Sequence, residues 1–207
     1  MDKMISMSVV KRLPRYYRYL GGLLEKGVTR ISSKELSQLM DITASQIRQD
    51  FNNFGCFGQQ GYGYNVEMLK DELGKILGLT RVYKLVIIGA GNLGQALASY
   101  SRFAKRGFEF SGLFDIDPSL IGREVSGLTI RHIDELESFL AQYKPDIAVF
   151  TIPGDNARDA VDTVLSSGVK GIWNFTNLDF KGAKGIKIQN VHLTDSLMTL
   201  SYLLNEE

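Results

Sequence analysis

Three glycines, Gly89, Gly91 and Gly94, stand at G-x-G-x-x-G spacing, and Asp115 follows 21 positions after the last of them. Glycines so placed can cradle a pyrophosphate. The first permits a tight turn, the second lets the backbone approach the phosphates, and the third lets a helix pack closely on the preceding strand. The N–H groups at the start of that helix then aim at negative charge. Ala90, Asn92 and Leu93 complete the turn and would share the contact. A carboxylate at Asp115 would bond an adenosine ribose 2′-hydroxyl and repel the 2′-phosphate that distinguishes NADP. The chemistry implied is recognition of an NAD-type dinucleotide. The plainer alternative is a glycine-rich turn with no ligand.

These residues need an α/β frame. The run 85–88 is apolar and β-branched, as a strand buried on both faces should be. Leu93, Ala96, Leu97 and Tyr100 fall at helical spacing after it, and a second strand over 110–114 delivers Asp115. The alternation continues with a helix over 133–143, faced by Leu136, Phe139 and Leu140, and an apolar strand over 146–152 that ends at Pro153. A helix over 157–165 and strands over 171–175 and 186–191 follow, giving a Rossmann-type parallel sheet across residues 81–192. The last segment, 193–207, reads as a helix rich in Leu and Met that docks on its own domain or on a partner.

Residues 1–80 carry a different pattern. Pro14 sets the start of a helix that runs through Tyr17, Leu20, Leu23 and Leu24 and stops at Gly27. Ser32–Glu35 and Thr43–Gln46 both have the form of capping boxes, and Leu36, Leu39, Ile42, Ile47 and Phe51 can share one small core. Helix, short turn, helix is the helix-turn-helix arrangement, with 44–53 as the helix for the major groove. Its expected exposed groups are Ser45, Gln46, Arg48, Gln49 and Asn52, which can reach phosphates or base edges. The stretch 55–64 alternates aromatics around a Gly- and Gln-containing turn and reads as a β-hairpin wing. A helix over 66–77 joins the two halves. The alternative is a helical packing module that touches no DNA.

Composition narrows the class. The net charge is +1, but residues 1–80 hold eleven basic against eight acidic side chains, a bias suited to nucleic acid. Cys56 is the single cysteine, so an intramolecular disulfide and a multi-cysteine zinc site are excluded, and Cys56 reads as a packing residue. No apolar run approaches the ~18 residues of a spanning helix and no signal-peptide core opens the chain, which points to a cytoplasmic protein. His132 and His192 are the only histidines, and neither has acid–base partners around it. The sheet consumes the chain to about residue 192, leaving no room for a catalytic domain. A small NAD(H)-dependent oxidoreductase with an N-terminal oligomerisation domain is the runner-up, and a nucleotide-binding module of the CoA-binding type is the third reading.

Several strings taken together resemble the Rex family of redox-sensing transcriptional repressors. They are Arg12-Leu13-Pro14 with Tyr16-Tyr17-Arg18-Tyr19-Leu20, residues 31–36, Gln46-Ile47-Arg48, Asp50-Phe51, Phe54-Gly55 and Gly61-Tyr62-Gly63-Tyr64-Asn65-Val66. The turn from Gly89 through Tyr100 and the pair Phe114-Asp115 continue the likeness along nearly the whole chain. The resemblance implies a winged-helix domain joined to a domain that binds NADH and NAD⁺, a swapped C-terminal helix, and a homodimer that leaves its palindromic operator when NADH replaces NAD⁺. It places Thr151, Ile152 and Pro153 near the nicotinamide and pairs Tyr100 with Asp195 of the other subunit. It adds Arg12, Gln59, Gln60 and Tyr62 to the DNA contacts. Against the family pattern, Gln59-Gln60 replaces a Lys-Arg pair in the wing, Gln49 replaces a Lys, Asn52-Asn53 replaces Ser-Tyr, and Cys56 replaces an acid. Three basic positions are thereby neutral, which predicts weaker or less salt-sensitive operator binding.

Overall fold

The computed structural model describes residues 5–55, 58–59, 62–152, 158–178, 180 and 185–206, and the chain separates into two compact units, Met1–Arg81 and Val82–Glu207. In the first, α1 (Met7–Glu25) is followed by β1 (Arg30–Ile31), α2 (Ser33–Met40), α3 (Ala44–Asn52), the hairpin β2 (Gly58–Gln59) and β3 (Gly63–Asn65), and α4 (Val66–Ile76). The strands form an antiparallel sheet in the order β1-β3-β2. This is a winged helix.

α1 begins seven residues before Pro14, at a cap made by Ser6, so the proline lies inside the helix rather than at its start. An interior proline removes the donor that the carbonyl four residues back would use. Pro14 is on the exposed face, where water can serve that carbonyl, while Leu13, Tyr16 and Leu20 are buried on the other side. They meet Leu36, Met40, Ile47, Phe51, Leu69 and Leu73 in one core. Each fully buried side chain of this size contributes roughly 1.5–3 kcal/mol. Leu39, expected in that core, is 46% exposed, because Leu36 and Met40 take the inward face of α2. Ser32 and Glu35 form a full capping box, whereas Thr43 supplies only half of one: its hydroxyl accepts from the Gln46 N–H, but the Gln46 side chain turns elsewhere.

The second unit runs β4 (Tyr83–Ile88), α5 (Asn92–Ala98), β5 (Phe108–Asp115), β6 (Glu124–Val125), β7 (Leu128–His132), α6 (Leu136–Tyr143), β8 (Ile147–Phe150), α7 (Arg158–Ser166), β9 (Gly171–Asn174), β10 (Lys187–Asn190) and α8 (Leu193–Leu204). The sheet order is β10-β9-β8-β4-β5-β7-β6, parallel except for the edge hairpin β6–β7. Counting parallel strands along the chain, this is the doubly wound order 3-2-1-4-5-6, whose direction reverses between β4 and β8. The short hairpin strands β6 and β7 were not expected from periodicity. Where β4 meets β5 the register shifts at Leu85 and Val86, and Ser111 turns its hydroxyl onto the Leu85 carbonyl at 3.1 Å.

α8 is exposed along its whole length, including Leu193, Leu197, Met198, Leu200, Leu203 and Leu204. It does not dock on its own chain among the described residues. None of the described helices is long and apolar enough to cross a membrane.

Candidate functional sites

Ligands of doubly wound sheets bind outside the strand C-termini where the order reverses. Here that point lies between the ends of β4 and β8, and a cleft of about 240 Å³ opens there. Gly89, Gly91, Asp115, Ile116, Thr151 and Ile152 line it, together with Ile133, Asp159 and Ala160. Each glycine has its own steric reason. Gly89 sits at φ +106°, and a Cβ there would lie 2.6 Å from the Ile152 side chain. A Cβ on Gly94 would stand 1.9 Å from the Gly89 carbonyl oxygen, so helix and turn can touch only without it. Gly91 caps α5 with no side-chain bond, and the position of its missing Cβ is open space. Close approach is thus enforced on the protein side and clearance is kept on the cleft side. That fits a phosphate-bearing ligand.

Three side chains hold the turn. Asp115 Oδ2 accepts from the Ala90 N–H at 2.5 Å while its Oδ1 accepts from the N–H groups of Ile116 and Asp117. Thr151 Oγ1 donates to the Gly89 carbonyl at 2.7 Å, and Gln95 Nε2 donates to the Ala90 carbonyl at 2.6 Å. Three backbone donors leave the Asp115 carboxylate acceptor capacity for a ribose hydroxyl. Asn92 is exposed and Leu93 half-buried, and neither lines the cleft. Tyr100 was expected on the first helix of the sheet, but α5 ends at Ala98; Tyr100 lies just beyond it, about half exposed, its ring edge-on to Phe103 at 5.1 Å. Helical spacing carried the expectation too far because the chain turns through Ser99 into a short 3-10 turn. Asp195 is exposed in the first turn of α8. Pro153, expected beside Thr151, lies outside the described residues, as do Cys56 and Gln60. Gln95, Ile116, Ile133 and Asp159 were missed by sequence reasoning. Of these, only Gln95 carried a signal, one residue after the last glycine.

In the first unit Ser45, Arg48, Gln49 and Asn52 form one exposed stripe on α3, at i, i+3, i+4 and i+7. Arg48 Nη1 donates to Ser33 Oγ at 2.9 Å, and Tyr62 stands exposed beside the hairpin, its carbonyl accepting from Arg30. The backbone of Gln59 pairs with Gly63 in the wing.

Two of the expected DNA contacts, Arg12 and Gln46, are part-buried and bond Asp50. Arg12 donates from Nε and Nη2 to the two oxygens of Asp50 at 2.6 and 2.7 Å, and Gln46 Nε2 donates to Asp50 Oδ1 at 2.7 Å. Tyr16 adds a fourth bond, Oη to Oδ2, at 2.7 Å. Asp50 is completely buried, and an unpaired carboxylate there would be expensive. The need to satisfy it outranks display of Arg12 and Gln46 to solvent. Burial alone would push the Asp50 carboxyl up; the donors from Arg12, Tyr16 and Gln46 outweigh it and hold the group below the ordinary value. Burial and the neighbouring carboxylate both raise Tyr16.

Comparison with known proteins agrees with both halves. Residues 4–52 match the family model described as putative DNA-binding protein N-terminus, and residues 80–178 the one described as CoA binding domain. The redox-sensing transcriptional repressor Rex of Clostridioides difficile (strain 630) is 55% identical over 205 residues, 99% of this chain and 98% of that protein. The chain belongs to the Rex family. The solved structure of RSP in complex with β-NAD⁺ and operator DNA is 53% identical with a TM-score of 0.92, covering 99% of this chain and 94% of that one. The structure of RSP with β-NADH is 50% identical with a TM-score of 0.91, covering 99% and 96%. Members of this family are named for repression, not for catalysis, so the oxidoreductase alternative falls. The match to the CoA binding domain model covers only residues 80–178 and leaves the DNA-binding half unexplained, so the third reading falls with it.

Proposed function

We propose that the chain is a cytoplasmic repressor that reads the NADH/NAD⁺ ratio and transmits it to operator DNA as a homodimer. The observation that carries this is the pairing in one chain of a phosphate-ready cleft at the switch point with a recognition stripe on α3. The turn from Gly89 to Gly94 would hold the pyrophosphate and Asp115 the adenosine ribose. Thr151 and Ile152, with Pro153 after them, would flank the nicotinamide. Ser45, Arg48, Gln49 and Asn52 would face the major groove, and Gln59, Gln60 and Tyr62 the adjoining backbone. Domain bounds of 1–80, 81–192 and 193–207 serve these roles.

The oxidised cofactor carries a positive charge on the nicotinamide ring and the reduced one does not. A protein whose two conformations differ in affinity for these forms shifts its population accordingly. Tyr100 of one subunit and Asp195 of the other would respond to that charge. The exposed apolar α8 is covered by a second copy, which also supplies the partner recognition helix. Two such helices fit successive major grooves only when ~34–36 Å apart.

A mobility shift with a palindromic operator of the family tests this. The complex should persist with NAD⁺ and weaken by about 5- to 150-fold with NADH, the span of ordinary allosteric coupling. NADPH should not substitute for NADH, because a 2′-phosphate beside Asp115 meets repulsion of up to ~4 kcal/mol at ~4 Å before screening. Equal operator affinity with NADH and NAD⁺ would overturn the reading.

A further inference from the structure

We infer that Arg12, Tyr16 and Gln46 are positioning residues that act through Asp50, fixing α3 onto α1 so that the DNA-reading stripe takes its direction from α1. The inference rests on the repressor reading above.

Asp50 faces away from the stripe of Ser45, Arg48, Gln49 and Asn52, and it is fully buried with four hydrogen bonds between 2.6 and 2.7 Å. Three of the four come from α1. A leucine would fill such a site without desolvating a charge, and exchanging buried ion pairs for apolar groups is often neutral or stabilising. What the carboxylate adds is direction. The apolar contact between the two helices, Tyr16 against Phe51 with ring centroids 4.8 Å apart, tolerates sliding. The fork of Arg12 on both carboxylate oxygens does not, since two parallel N–H···O bonds fix distance and angle together.

Gln46 completes the arrangement from within α3. Its amide spans one turn to Asp50 and so pins the rotamer that receives Arg12 and Tyr16. On the same buried face α1 is also joined to α4: Leu13, Tyr16 and Leu20 share a core with Leu69 and Leu73, and the Lys70 ammonium lies 5.1 Å from the centre of the Tyr17 ring. α4 is the last element of its unit, and after six intervening residues the chain enters β4. A rotation of α4 therefore has a continuous route through α1 and Asp50 to α3. Without the carboxylate hub, α3 can relax against α1, and part of the rotation is lost before it reaches DNA.

The test is operator affinity with NAD⁺ and with NADH for the wild type, Tyr16→Phe and Gln46→Met, with Asp50→Asn as the severe variant. Melting curves and NADH titrations identify any variant that fails to fold. Tyr16→Phe and Gln46→Met keep the core volume and should titrate NADH as the wild type does. Loss of one charge-assisted bond should weaken the NAD⁺ complex about tenfold. The decisive readout is the ratio of the two affinities, which should shrink about threefold or more if direction is what the hub transmits. A role confined to holding the fold would change both affinities by one factor and leave the ratio at its wild-type value. That result overturns the inference, and so does unaltered affinity. A wild-type chain that binds operator equally with both cofactors fails the repressor reading itself, and the inference with it.

Discussion

At the switch point of the second unit, the groups that would meet a ligand are mostly main-chain N–H groups, and glycines put them there. On α3 of the first unit they are side chains, and other side chains decide which of them face outward. The first site is therefore anchored by two glycines, Gly89 and Gly94, whose substitution is sterically forbidden, as the 1.9 Å contact at Gly94 illustrates. The second depends on a contact between Arg12 and Asp50, which lie 38 positions apart, and no local spacing announces it. Sites made of backbone are specified close at hand; sites made of side chains are specified at a distance.

The largest expected effect would break the backbone half of this contrast. Gly94→Ala forces α5 off the turn, because Cβ and the Gly89 oxygen cannot both keep their places. Overpacking typically costs about 1–3 kcal/mol and more where backbone must move. NADH binding should be lost in a titration, and the melting temperature should fall. Gly91→Ala is the control: its Cβ meets nothing within 4 Å, so melting should hold while NADH affinity drops. If both variants bind NADH normally, the turn is not the phosphate site.

Legibility followed the same division. The strand–turn–helix at Gly89 and the acid at Asp115 could be read directly, since steric need fixes residue type at fixed spacing. Two-residue strands such as β1 and β6 carry too few side chains for a period to register. Pro14 misled because local propensity marks a helix start, whereas the buried run Val9, Leu13, Tyr16 and Leu20 continues through it. The bonds of Arg12 and Gln46 to Asp50 were not legible, because long polar side chains on α1 and α3 read as DNA contacts and the acid they bond is buried. Arg12 and Tyr16 at i, i+4 on α1 were the only hint. The apolar character of α8 was plain, but which surface covers it is not a property of one chain's pattern.

A second, intermediate effect probes the side-chain half. The Asp50 carboxyl is held below its ordinary value, so its contribution is present above the unfolded carboxylate pKa of roughly 3.9 and is lost as pH falls through the lower folded value. Asp50→Asn should destabilise the first unit by about 3 kcal/mol at neutral pH, the lower end of what breaking a buried pair costs. The gap from wild type should close on acidification below about pH 4, where the Asp50 carboxyl of the unfolded wild-type chain begins to protonate while the folded one still holds its charge. Melting curves between acidic and neutral pH check this. A gap that stays constant across that range would mean that the charge of Asp50 contributes nothing, and that packing alone joins α3 to α1.

The smallest effect tests the exposed stripe, where no burial amplifies a change. Gln49 stands in solvent on α3 beside Arg48, so Gln49→Lys adds one cation at no steric cost and should leave stability within about 0.5 kcal/mol. If the stripe faces DNA, the new ammonium releases one more counterion, and the slope of log affinity against log salt steepens by roughly 0.9. Arg48→Ala should flatten it by a similar amount, and neither variant should alter the NADH titration. The two shifts must have opposite signs, because they add and remove the same kind of phosphate contact at consecutive positions of one helix face. An unchanged slope in both would place the DNA-reading surface away from α3, and the side-chain site would then lie on an element that the hub at Asp50 does not orient.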